Sequence, residues 1–140
     1  MVMNRHDHHD EFKHLNLHEG RCMSQIPSYL ELTNEVNKHL STLRSDSPNV
    51  MKAFGDLAQA ATAEGALNKK TKELIALALG VAVRCDACIG FHTKALVRLG
   101  ATKAEVEETL GMAVYMGGGP SLMYAANTMA AWEEFSHSAS

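Results

Sequence analysis

Apolar positions recur along most of this chain at steps of three and four residues, the period of a helix with one buried face. The first such run is Tyr29, Leu32, Val36, Leu40 and Leu43, opened by Ser28 and Glu31 in the S-x-x-E arrangement of a capping box. Ser47-Pro48 places a capping hydroxyl before a proline suited to a first helical position. The stripe then continues through Val50, Met51, Phe54, Leu57, Ala58 and Ala61 up to Gly65. Asn68 can cap a third helix, whose stretch LIALALGVAV, residues 74–83, is apolar all round and so is expected in the middle of the fold. A fourth helix is predicted from Cys85 or Asp86 to Leu99, with Gly100 as the left-handed terminating residue. Thr102 and Glu105 form a second capping box ahead of Val106, Leu110, Ala113 and Val114. After the break at Gly117-Gly118-Gly119, a sixth helix is predicted from Pro120 to about Phe135, turning Leu122, Met123, Ala126, Met129, Ala130 and Trp132 to a core.

Six helices with short turns and no competing strand predict a compact all-α bundle over residues 28–140. Residues 1–27 are different: they hold five of the eight histidines and little periodicity, and read as a His-rich N-terminal arm. His6, His8, His9 and His14 are metal-capable side chains, but ligands on a flexible chain lack a scaffold, and the plain reading is a solvated polar tail. The apolar run at 74–83 is about half of the roughly 20 residues that span a bilayer. The N-terminus has charges and histidines where a signal peptide has its apolar stretch, so a cytoplasmic protein is expected. A formal charge of −3 supplies no basic field for nucleic acid. Alanines on many helix faces permit close approach, and the apolar faces exceed what a 140-residue monomer easily hides, which predicts a homo-oligomer.

The chemistry concentrates in RCDACIGFH, residues 84–92. At a helix start Cys85 and Cys88 stand at i, i+3 and Cys88 and His92 at i, i+4, so the three share one face. First-turn N–H groups and the positive helix end favour a thiolate, and an imidazole one turn on can take the thiol proton. Arg84 and Lys94 add positive charge. Two adjacent thiols can also cycle: a thiolate that attacks a peroxide oxygen becomes a sulfenic acid, which its neighbour converts to a disulfide. Glu73 lies on the central helix, where a buried carboxylate needs a partner, although periodicity alone also allows it to be an exposed helix residue. Half of a zinc site has the same C-x-x-C spacing, and buried inert cysteines are common, so both readings stay open on these residues alone; no second ligand pair follows to complete four. Cys22 stands apart as a bystander.

Glu73, Cys85, Cys88 and His92 together form E-x11-C-x-x-C-x-x-x-H, flanked by LNKKTKELIALALGVAVRC and GGGPSLMYAANTMAAWEEF. This pattern, over residues 48–135, resembles the alkylhydroperoxidase D-like branch of the carboxymuconolactone decarboxylase family. The resemblance implies an all-α fold and a thiol-dependent peroxidase acting on hydrogen peroxide or organic hydroperoxides, with no metal or cofactor. It implies Cys88 as the peroxide-attacking nucleophile, Cys85 as the resolving thiol that meets a dithiol reductant, in that relative a lipoyl-bearing protein, and His92 with Glu73 as proton relay. Alkylhydroperoxidase D looks like a duplicated unit, whereas this chain has room for one. Small single-unit members resembling it assemble as hexamers or trimers, and a hexamer is favoured here. The two competing classes are a redox-sensing dithiol protein without turnover, and a lactone decarboxylase, whose branch lacks the C-x-x-C pair.

Overall fold

The computed structural model of the chain describes residues 28–139, which fold into six helices: α1 (Tyr29–Asp46), α2 (Pro48–Thr62), α3 (Lys69–Ala82), α4 (Asp86–Arg98), α5 (Lys103–Gly117) and α6 (Gly119–Ser138). The described residues contain no strand, and none of their helices is long and apolar enough to cross a membrane. The His-rich arm, its histidines and Cys22 lie outside the described residues.

Local caps set several of the helix ends as their sequences predict. Asn68 accepts the N–H of Thr71, the Thr102–Glu105 capping box closes in both directions, and Gly100 ends α4 at φ 75°. One expected cap is absent and another is reinforced. Ser47 makes no side-chain cap, and Pro48 alone starts α2. Ser28 accepts the N–H of Glu31, but the start of α1 is held from across the molecule by Glu134 of α6. That carboxylate accepts from Ser28 Oγ at 2.7 Å, Tyr29 N at 3.0 Å and Leu30 N at 2.9 Å. Orphan first-turn donors favour an anion, and α6 provides it.

Helices α3 to α6 form the body, and α1 lies across α4 and α6. Leu77 and Val81 of α3, Ile89 and Leu96 of α4, Val106 and Leu110 of α5, and Ala131 and Phe135 of α6 make the core with Tyr29. Close approach of α1 to α4 depends on Gly90, where a Cβ would stand 2.7 Å from Thr33 Cγ2. Thr33 cannot retreat, because its hydroxyl donates to the carbonyls of Tyr29 and Leu30.

Burial corrects three expectations. The stripe on α2 has no core to face: Val50, Phe54 and Leu57 are all exposed, and among the described residues α2 packs only on α1 and α3. On α3, Leu77 and Val81 are buried but Ile75, Leu79 and Val83 are exposed, so the helix is central on one side only. On α6 the inward face is Ser121, Ala125, Thr128, Ala131 and Phe135, while Leu122 and Met123 point out. Small residues and Phe135 sit where α6 meets its neighbours, Met129 and Trp132 pack against the core as expected, and Leu122 and Met123 are left outside.

Candidate active site

Two adjacent helices build the site. Glu73 is in the second turn of α3 and is buried, with 7% of its surface exposed. Ten residues later α3 ends in a turn that leads straight into α4. Arg84 N–H donates to the Val81 carbonyl and Cys85 N–H to the Gly80 carbonyl, with Arg84 left-handed at φ 59°. This is the bonding pattern of a Schellman helix end. Cys85 therefore closes α3 and at the same time caps α4, its sulfur accepting the N–H of Cys88 at 3.2 Å.

The two cysteines have Cα atoms 5.2 Å apart and sulfurs within bonding distance, as the geometry of a disulfide requires. Gly80 makes room for them: a Cβ there would stand 3.2 Å from Cys88 Cβ. Two turns along α4, His92 Nδ1 meets Glu73 Oε2 at 2.6 Å, so the buried carboxylate has its partner. With the carboxylate ionised it can only accept, so Nδ1 carries the proton and Nε2 of the neutral ring is left as an acceptor. About a third of the His92 side chain is exposed, against 9% for Glu73, which gives the ring a solvent-facing edge on a buried anchor.

A second carboxylate lies at the start of α4. Asp86 accepts a hydrogen bond from the Tyr29 hydroxyl at 3.3 Å. Burial first, and then the Asp86 charge, push the Tyr29 phenol well above its usual range. Lys94 lies elsewhere on the surface of α4. It lines a groove of about 290 Å³ with Leu30, Val97 and Phe135, toward the C-terminal ends of α4 and α6. Among the described residues, no group of three or more His, Cys, Asp or Glu side chains is placed to hold a metal ion.

The four residues of the spaced pattern are thus arranged as two contacting pairs on α3 and α4, and a family-wide comparison gives them context. The sequence model of the carboxymuconolactone decarboxylase family matches residues 48–131. The chain belongs to the carboxymuconolactone decarboxylase family. A solved family member from Legionella pneumophila, in its apo form, is 58% identical with a TM-score of 0.76, covering 77% of this chain and 96% of its own. A Thermotoga maritima member, described in connection with the antioxidative response, is 30% identical with a TM-score of 0.68, covering 75% of this chain and 90% of its own. An uncharacterised protein of Cupriavidus necator is 42% identical over 96 residues, 69% of this chain and 85% of that protein.

Sequence reasoning missed Tyr29, Gly80 and Glu134. Gly80 had a visible signal, since a glycine inside a leucine- and alanine-rich helical run weakens the helix and marks a close approach. Tyr29 and Glu134 act across more than fifty residues of chain, and periodicity carries no trace of such a pairing.

Proposed function

We propose that this protein is a thiol-dependent peroxidase that reduces hydrogen peroxide or organic hydroperoxides through a Cys85/Cys88 dithiol–disulfide cycle. The observation that carries the reading is the Glu73–His92 contact at 2.6 Å on the helix pair that holds both cysteines. A base anchored beside a C-x-x-C pair is what thiol activation needs and what an inert pair does not. The antioxidative description of the Thermotoga relative supports the same chemistry.

In this reading Nε2 of His92 takes the proton of Cys88, and Glu73 stabilises the imidazolium that forms. The Cys88 thiolate attacks one peroxide oxygen; the O–O bond breaks, and the alcohol or water leaves with a proton from His92. The Cys85 thiol attacks the sulfenic sulfur of Cys88, its proton passes to the departing hydroxide, which leaves as water, and the disulfide closes. A dithiol reductant, for which a lipoyl-bearing protein is the candidate, returns two electrons through Cys85. The setting is cytoplasmic, where such reductants keep thiols reduced.

The test is peroxide consumption. Reduced protein is expected to turn over cumene hydroperoxide with dihydrolipoamide, and Cys88→Ser to abolish it. A single stoichiometric oxidation without cycling overturns the enzyme in favour of a redox sensor. Lactone decarboxylation that survives Cys85→Ser with Cys88→Ser overturns it in favour of a decarboxylase.

The working form is a homo-oligomer, a hexamer before a trimer. Exposed Phe54 and Leu57 on α2, Leu79 and Val83 on α3, and Tyr115 and Met116 on α5 are more apolar surface than a soluble monomer leaves bare. Light scattering is expected to give a multiple of the chain mass that Phe54→Asp lowers. A monomeric wild-type protein refutes the assembly.

A further inference from the structure

Two turns in this fold are built alike but filled differently. At the end of α4, Gly100 N–H donates to the Val97 carbonyl, Ala101 N–H to the Leu96 carbonyl, and the left-handed residue is Gly100 at φ 75°. At the end of α3 the same two bonds join Arg84 to Val81 and Cys85 to Gly80, and the left-handed residue is Arg84 at φ 59°. It is the only non-glycine with positive φ among the described residues. Left-handed backbone is disfavoured for an arginine and free for a glycine. The chain therefore keeps a strained residue at the turn before Cys85 and the relaxed one at the turn that carries no chemistry.

Local packing gives no reason for this. Arg84 is exposed, and no carboxylate of the described residues pairs with it. What its position does provide is a permanent cation on the residue that immediately precedes Cys85, whose sulfur accepts the Cys88 N–H at the positive end of α4. The nearby carboxylates are engaged: Glu73 by His92, and Asp86 by the hydroxyl of Tyr29.

We propose that Arg84 is a positioning residue for the redox step, placing a positive charge that favours the Cys85 thiolate during exchange with the reductant. The inference rests on the dithiol–disulfide reading of the pair. A reductant thiolate attacks Cys85 Sγ, the Cys85–Cys88 bond breaks, and Cys88 leaves with a proton from His92. The second reductant thiolate then attacks the sulfur bound to Cys85. Cys85 leaves as a thiolate, the reductant closes to its own disulfide, and two electrons have passed to the protein. Arg84 acts on that second departure.

An exposed unit charge on an adjacent residue, in a water-like medium, alters the ratio of thiolate to thiol by roughly two- to threefold, and salt screens it. The experiment titrates the Cys85 thiolate by absorbance at 240 nm in protein carrying Cys22→Ser and Cys88→Ser. Arg84→Gly, which relieves the backbone, is expected to lower the thiolate fraction about two- to threefold at low salt while the melting temperature holds or rises. The difference is expected to collapse in 1 M salt. Arg84→Lys keeps the charge in the same strained backbone and is expected to titrate as the parent. Unchanged titration in Arg84→Gly overturns the proposal. So does an Arg84→Lys variant that titrates like Arg84→Gly, because shape rather than charge is then responsible. No peroxide turnover enters the measurement, so a failure of the peroxidase reading shows separately in the cumene hydroperoxide assay.

Discussion

Replacing Glu73 with glutamine isolates the charge behind His92. The isostere keeps the volume of a side chain that is 9% exposed, and its amide oxygen can still accept the Nδ1 proton across the 2.6 Å contact. Only the ionic part is lost. A hydrogen bond to a charged group contributes about 1.5–3 kcal/mol and a neutral one about 0.5–1.5 kcal/mol, so the change removes roughly 1–2 kcal/mol of support for the imidazolium. If the proton transfer limits turnover, that is a rate loss of about 5- to 30-fold. His92→Ala removes the base itself, for which a loss of about 100- to 10,000-fold is expected. The assay is dithiol-driven consumption of cumene hydroperoxide at neutral pH, with thermal melts of the same samples to show that the fold is intact. Full activity in Glu73→Gln, with His92→Ala inactive, would refute the role given to the carboxylate while leaving the base in place. Full activity in both would remove the relay altogether.

Other outcomes follow from packing and from proton linkage. Gly90→Ala would put a Cβ 2.7 Å from Thr33 Cγ2, on a neighbour pinned by two hydrogen bonds. Overpacking of about 1–3 kcal/mol, less about 1 kcal/mol of improved helix propensity, predicts a net loss of up to about 2 kcal/mol in urea unfolding, and a gain in stability contradicts the close approach. Tyr29 has its phenol pushed up from the ordinary 10.0 by burial and by Asp86. The unfolded chain then loses this proton first, so the contribution is complete below about pH 10 and declines as pH rises beyond it. Unfolding at pH 8 to 11 is expected to show a steeper alkaline decline for the parent than for Tyr29→Phe, and parallel curves count against the buried hydroxyl.

How far the site can be read without coordinates differs from residue to residue. Cys85, Cys88 and His92 are legible because they share one helix, where spacing alone decides which side chains are neighbours. The caps at Asn68, Thr102 and Gly100 are legible for the same reason: donor and acceptor are within a turn of each other. Glu73 is recognisable as a carboxylate in an apolar helix that needs a partner, yet that its partner is His92, nineteen residues on, depends on how α3 and α4 lie together. Gly80 controls that approach, and it registers in the sequence only as a weak point in a helix.

Periodicity also misdirects α6. Leu122 and Met123 are the more hydrophobic choice for an inward face, but Ser121, Ala125 and Thr128 occupy it. Likewise the apolar stripe of α2 stands clear of the core. The amino-acid sequence by itself determined the six helices, most of their ends and the face that gathers the thiols and the imidazole, because these rest on interactions within one or two turns. The tertiary structure alone decided which faces are buried, that Glu134 of α6 holds the start of α1, and that Tyr29 binds Asp86. Those pairings are between groups far apart in the chain, and only the packing distance between helices selects them.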